Sequence, residues 1–136
     1  MIRLPVRATL FLRELLAWAG GGRERRRIEG PSMAPTLLDG DTVLVDPARR
    51  PRPGDLVAAR PEPLGGLAVV KRVAHLAPDG AADLTSDNPA AGTDSRSWGP
   101  VPADRLDGVV TVELGRRLVL VADDRQPPSG LGWLRR

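Results

Sequence analysis

The chain has 136 residues, 41% hydrophobic and 27% charged, which suits one domain with one sizeable core rather than a disordered chain. Without cysteine and with one histidine, it excludes disulfides, thiolate catalysis and cysteine or multi-histidine metal sites, so neither metal nor cofactor is expected. Residues 1–27 carry a formal charge of +5 and the remainder −2, so the basic charge belongs to an N-terminal arm; with aromatics at 3%, a nucleic-acid partner is not expected.

The first predicted element is a helix over residues 4–19. Leu4, Ala8, Phe11, Leu15 and Trp18 recur at steps of four and three, with Arg3, Arg7 and Glu14 on the opposite side. A membrane span needs about 20 apolar residues. This stretch is shorter and carries Arg13 and Glu14 near its centre, so no transmembrane segment is expected. Nor does an uninterrupted apolar core precede a small-residue cleavage site, as a secretory signal would require. A basic amphipathic helix can lie on an anionic membrane surface. Packing of its apolar stripe on the domain is the favoured expectation. Three glycines at 20–22 end the helix, and residues 23–27 read as a charged connector.

Beyond residue 27, short β-type runs alternate with Gly, Pro and Asp. Strands are expected near 42–45, 56–59, 67–73, 109–114 and 118–122, the last two forming a hairpin across residues 115–117. The fold class is therefore all-β, mainly antiparallel, with one short N-terminal amphipathic helix. Residues 1–27 are read as helix and connector, 28–122 as the domain, and 123–136 as a loosely ordered tail.

Of the 20 basic residues, 19 are arginine, and Lys71 is the exception. It lies in an apolar run, Gly-Gly-Leu-Ala-Val-Val-Lys-Arg-Val-Ala-His-Leu, expected to be a strand. Arginine keeps its proton at any accessible pH, whereas a desolvated lysine can lose its own. A position that must deprotonate is one that arginine cannot fill. Chance retention of a lysine at a strand edge is the competing explanation, and composition alone leaves the two about even.

Further motifs decide between them. Gly30-Pro31-Ser32-Met33-Ala34-Pro35-Thr36-Leu37 is followed by Gly40-Asp41-Thr42-Val43-Leu44-Val45 and Arg52-Pro53-Gly54-Asp55-Leu56-Val57. Lys71-Arg72-Val73 comes next, then Asp87-Asn88-Pro89, Asp94-Ser95-Arg96 and Trp98-Gly99-Pro100-Val101-Pro102. In this order, over roughly residues 28–110, the chain resembles the type I signal peptidase family of serine–lysine peptidases. The resemblance implies a signal-peptidase-like catalytic β domain with Ser32 as nucleophile and Lys71 as general base. It implies that Met33 packs beside the nucleophile, that Asp94 and Arg96 form a structural ion pair, and that Asp87 and Asn88 support the site. The backbone N–H of Ser32 matches an oxyanion donor.

The chain departs from the family's pattern at one position. Relatives commonly carry a serine two residues before the aspartate of Asp-Ser-Arg, where its hydroxyl helps orient the lysine. Here that position is Gly92, and Thr93, Ser95 or a water is the expected substitute. The chemistry suits the pair: serine needs a base to take its proton, and an apolar strand lowers a lysine's pKa towards useful values. The rival base, His75, lies four residues beyond Lys71, some 13 Å along an extended strand, and an exposed or structural role is expected for it. Arg72 points to the opposite strand face from Lys71 and is not expected to take part.

Within the family, small size and the Ser-Asp-Asn-Pro…Thr-Asp-Ser-Arg-Ser-Trp-Gly-Pro-Val-Pro ending look closest to the nickel-type superoxide dismutase maturation proteases. These remove a leader from the dismutase precursor. The resemblance implies a cytoplasmic endopeptidase whose partner is that precursor protein. The alternatives are a minimal type I signal peptidase peripheral to the membrane surface and a non-catalytic binding module with a peptidase fold. A self-cleaving repressor is disfavoured, since no DNA-reading helix pair precedes the domain.

Overall fold

The apolar runs of the middle of the chain become the strands of one antiparallel sheet. The computed structural model describes residues 6–114 and 119–121. Helix α1 (Val6–Ala19) comes first, then β1 (Glu24–Arg27), β2 (Thr42–Asp46), β3 (Leu56–Ala59), β4 (Val69–Leu76) and β5 (Ala82–Thr85). A single-turn helix, α2 (Ser95–Trp98), precedes β6 (Leu106–Leu114) and β7 (Val119–Leu120). The strand order is β1-β2-β6-β3-β4-β5, and β7 also pairs with β6. Every pairing is antiparallel.

Side chains alternate across a strand, and β3 uses both faces. Leu56 and Ala58 join Ile28, Met33, Leu37, Val43, Val45 and Val110 in one core. Val57 and Ala59 join Val73, Ala82, Leu84, Val101 and Val109 in the other. Burying an aliphatic side chain of this size stabilises the fold by about 1.5–3 kcal/mol. The core containing Met33 therefore anchors the loop that carries Ser32.

Several boundaries differ from the sequence expectation. Strand β4 begins at Val69 rather than 67, because Gly65 and Gly66, both at positive φ, turn the chain just before it. Residues 24–27, expected as a connector, form the edge strand β1. Its side chains carry no apolar alternation, and pairing with β2 supplies the order. Strand β5 was not expected either, since only Ala82 and Leu84 face the core. The tail expected over 123–136 and the hairpin turn at 115–117 lie outside the described residues.

Helix α1 lies against β6 and β7, though rotated from the face its periodicity suggests. Glu14, expected outward, is buried. Arg23 reaches back from the turn after the helix to pair with Glu14, and with Asp46 of β2 at 3.3 Å. Leu12 and Leu16 face outward, 46% and 64% exposed. Among the described residues no helix is long and apolar enough to cross a membrane.

Candidate active site

Ser32 sits half-buried in the turn-rich loop between β1 and β2, which contains a cis Ala34–Pro35 peptide. The next residue, Met33, is buried in the core, so the loop is pinned directly beside the serine. The 87–88 segment holds it from the other side. Asn88 N–H donates to Ser32 O at 2.9 Å, its side-chain amide donates to Pro31 O at 3.2 Å, and Asp87 N–H donates to Met33 Sδ at 3.4 Å.

Lys71 lies on β4 opposite Val57 and is buried. Its Nζ donates to Ser86 Oγ at 3.0 Å. Burial disfavours the ammonium and pushes the Lys71 pKa down, while the negative charge of Asp94 opposes that shift in part. A net downward shift is the direction a general base requires.

Gly92 is where the two residues meet. A Cβ built on Gly92 would lie 2.8 Å from Ser32 Cβ and 3.6 Å from Lys71 Nζ, so the serine and the amine flank one bare backbone position. They are separated by no more than the sum of those distances.

Asp94 is buried and caps α2. Its carboxylate accepts from Ser86 N–H at 3.0 Å, from Arg96 N–H at 3.1 Å and from the Arg96 guanidinium at 2.9 and 3.2 Å. Burial raises the Asp94 pKa, but these hydrogen bonds, that of the Arg96 side chain foremost, outweigh it and hold the pKa at about 2. The carboxylate is thus charged throughout the working range and fixes the end of β5 to α2.

Asp87 joins the serine loop to the lysine strand. Arg72 Nε and Nη2 donate to its two carboxylate oxygens at 2.8 and 2.7 Å, and Thr36 Oγ1 donates to the same group. Arg72, not expected to take part, is therefore a component of the clamp.

Among the described residues, the hydroxyl that Lys71 reaches is neither of the side chains expected to substitute at position 92. Thr93 is exposed, and its backbone carbonyl accepts from Ser86 Oγ at 3.4 Å. Ser95 Oγ accepts from Leu84 N–H at 2.8 Å. Lys71 takes its hydroxyl partner from Ser86 instead. His75 lies beyond a bulge in β4, with its side chain 70% exposed and 3.7 Å from Asp83. Ser86 was missed because no register could be drawn without β5; once Arg72 is paired with Thr85, Lys71 and Ser86 fall next to one another.

A cleft of about 130 Å³ opens beside Ser32, walled by Ile28, Met33, Ala58 and residues 67–70. A larger cavity of about 520 Å³, around Arg50, Leu76 and Leu106, includes neither Ser32 nor Lys71. Size alone does not mark the site here; the serine and lysine do.

A mainly antiparallel β domain with a serine set beside a buried lysine is a serine-peptidase type of structure. Residues 26–96 match the Peptidase S24-like family, and the chain belongs to it. The matched region runs from β1 to Arg96 and contains Ser32, Lys71, Ser86, Gly92 and Asp94. No curated protein matches the chain.

Proposed function

We propose that this chain is a serine endopeptidase that removes an N-terminal leader from a precursor protein, with Ser32 as nucleophile and Lys71 as general base. The observation that carries the reading is the chain's one lysine, buried and flanking Gly92 together with Ser32. In the first step neutral Lys71 takes the Ser32 proton as Oγ bonds to the scissile carbonyl carbon. The oxyanion so formed faces the Ser32 N–H, which makes no hydrogen bond among the described residues. As the C–N bond breaks, Lys71 returns that proton to the leaving amine, and the acyl group stays on Ser32. Lys71 then takes a proton from water as the water oxygen bonds to the ester carbon, and it returns that proton to Ser32 Oγ as the C–Oγ bond breaks, releasing the carboxylic acid and restoring both residues.

The small cleft beside Ser32, with Ile28, Met33, Ala58 and Val70 in its wall and Arg26 and Glu29 also lining it, suits a small side chain next to the scissile bond. The motif order that resembles the nickel-type superoxide dismutase maturation proteases supports the dismutase precursor as substrate and a cytoplasmic location. A second reading, a minimal signal peptidase on the membrane surface, is favoured by the outward Leu12, Leu16 and Trp18 beside a basic arm. Sedimentation with anionic vesicles, and cleavage of secretory precursors, would select it.

The test is a rate comparison on a dismutase precursor peptide spanning the leader junction. Lys71→Arg keeps the charge but cannot deprotonate, so turnover should fall by about a thousandfold or more, as with Ser32→Ala. Because the base is the unprotonated amine, the wild-type rate should rise with pH through one ionisation below the usual lysine range. A folded Lys71→Arg protein keeping a tenth of wild-type turnover would rule out the serine–lysine mechanism.

A further inference from the structure

A lysine acting as base must do two things: lose a proton, and aim the freed lone pair at the serine. Burial addresses the first. The second requires that the remaining N–H bonds be held, since a neutral amine on a four-carbon stem otherwise turns freely. The contacts of Ser86 show how this chain meets that requirement.

Ser86 is buried and fixed at three points. Its N–H donates to the Asp94 carboxylate at 3.0 Å, its hydroxyl donates to Thr93 O at 3.4 Å, and its oxygen accepts from Lys71 Nζ at 3.0 Å. A hydroxyl has one proton, and the Thr93 carbonyl, 3.4 Å away, offers that proton an acceptor other than the lysine lone pair, while the Ser86 oxygen accepts from Lys71 Nζ at 3.0 Å. Gly92 also borders the amine, and its missing side chain leaves room for Ser32.

We infer that Ser86 is the positioning residue that aims Lys71 at Ser32. A side chain at 92 would run into Ser32 Cβ, and the hydroxyl comes from the neighbouring strand end, which Asp94 and the Thr93 carbonyl hold still. This inference rests on the serine–lysine reading.

Because Lys71 is the one lysine, [13Cε]lysine labelling of the full chain gives one signal, and no substrate is required. In the wild type, the held amine should give two distinct ε-proton shifts. Ser86→Ala, with folding checked by thermal melt, should merge them into one averaged line. It should also move the titration of the signal to lower pH, since an acceptor that favours the ammonium is gone. Ser86→Thr should restore the split, and Thr93→Val, which spares the backbone carbonyl, should behave as wild type. A folded Ser86→Ala protein with wild-type splitting and titration overturns the inference and leaves the dyad standing. Cleavage surviving in Ser32→Ala or Lys71→Arg overturns the dyad itself, so the two failures are distinguishable.

Discussion

At Gly92 the structure turns a missing side chain into a requirement. Carbon atoms do not approach to 2.8 Å without something moving, and the atom met is Ser32 Cβ, held by a loop with little freedom. The backbone of Gly92 is extended, with φ −170°, so the demand comes from space and not from conformation. Gly92→Ser, which adds a hydroxyl at that position, should therefore reduce cleavage rather than improve it. Displacing a nucleophile by an ångström costs about a hundredfold in rate, and that is the expected loss. Initial rates on the precursor peptide check it; a Gly92→Ser protein as fast as wild type would mean that the loop yields easily. Lys71 stood out in the sequence as the one lysine beside 19 arginines and Ser32 through the motif that contains it, and the structure brings both to Gly92. Ser86 did not stand out, because one serine among several polar loop residues has no distinguishing composition until a strand register places it beside the lysine.

Among the elements, the strands with unbroken apolar runs were legible and those without were not. Residues 56–59 read correctly because all four are buried, whereas β1 is Glu-Arg-Arg-Arg and owes its strand conformation to β2 alone. The same limit hid the Arg72–Asp87–Thr36 link, which ties β4 to the serine loop across elements far apart in sequence. Arg72 presents two parallel N–H donors to one carboxylate, a geometry that lysine cannot reproduce. Arg72→Lys should thus lower stability by about 1 kcal/mol, the guanidinium being partly exposed, and slow cleavage several-fold as the loop loosens. Urea denaturation and initial rates measure the two effects. If neither changes, the link does not hold the serine loop.

For the whole molecule, the joint between α1 and the sheet is ionic where periodicity predicted it to be apolar. Glu14 is buried against Arg23, and Arg23 also faces Asp46, so the helix, the turn after it and β2 share one buried charge network. Burial raises the Glu14 pKa, but hydrogen bonds from Arg23 and Thr111 and the nearby positive charge outweigh it, leaving the group below its ordinary value of 4.5. The sign follows from that direction. A carboxyl with a depressed folded pKa adds stability that is fully present above the unfolded value. The contribution fades as pH falls below about 4.5 and through the folded pKa. Glu14→Gln keeps the shape and removes the charge, leaving Arg23 with Asp46 as its remaining carboxylate. Breaking one side of a buried pair is costly; with part of the network intact, a loss of about 2–3 kcal/mol is expected at pH 7. Other acid-sensitive groups, Asp94 among them, are common to both proteins and cancel in the comparison. The gap in melting temperature between wild type and Glu14→Gln should therefore be widest at neutral pH and narrow steadily below about 4.5. A gap that stays constant between pH 7 and pH 3 would show that the glutamate holds the helix by shape and not by charge.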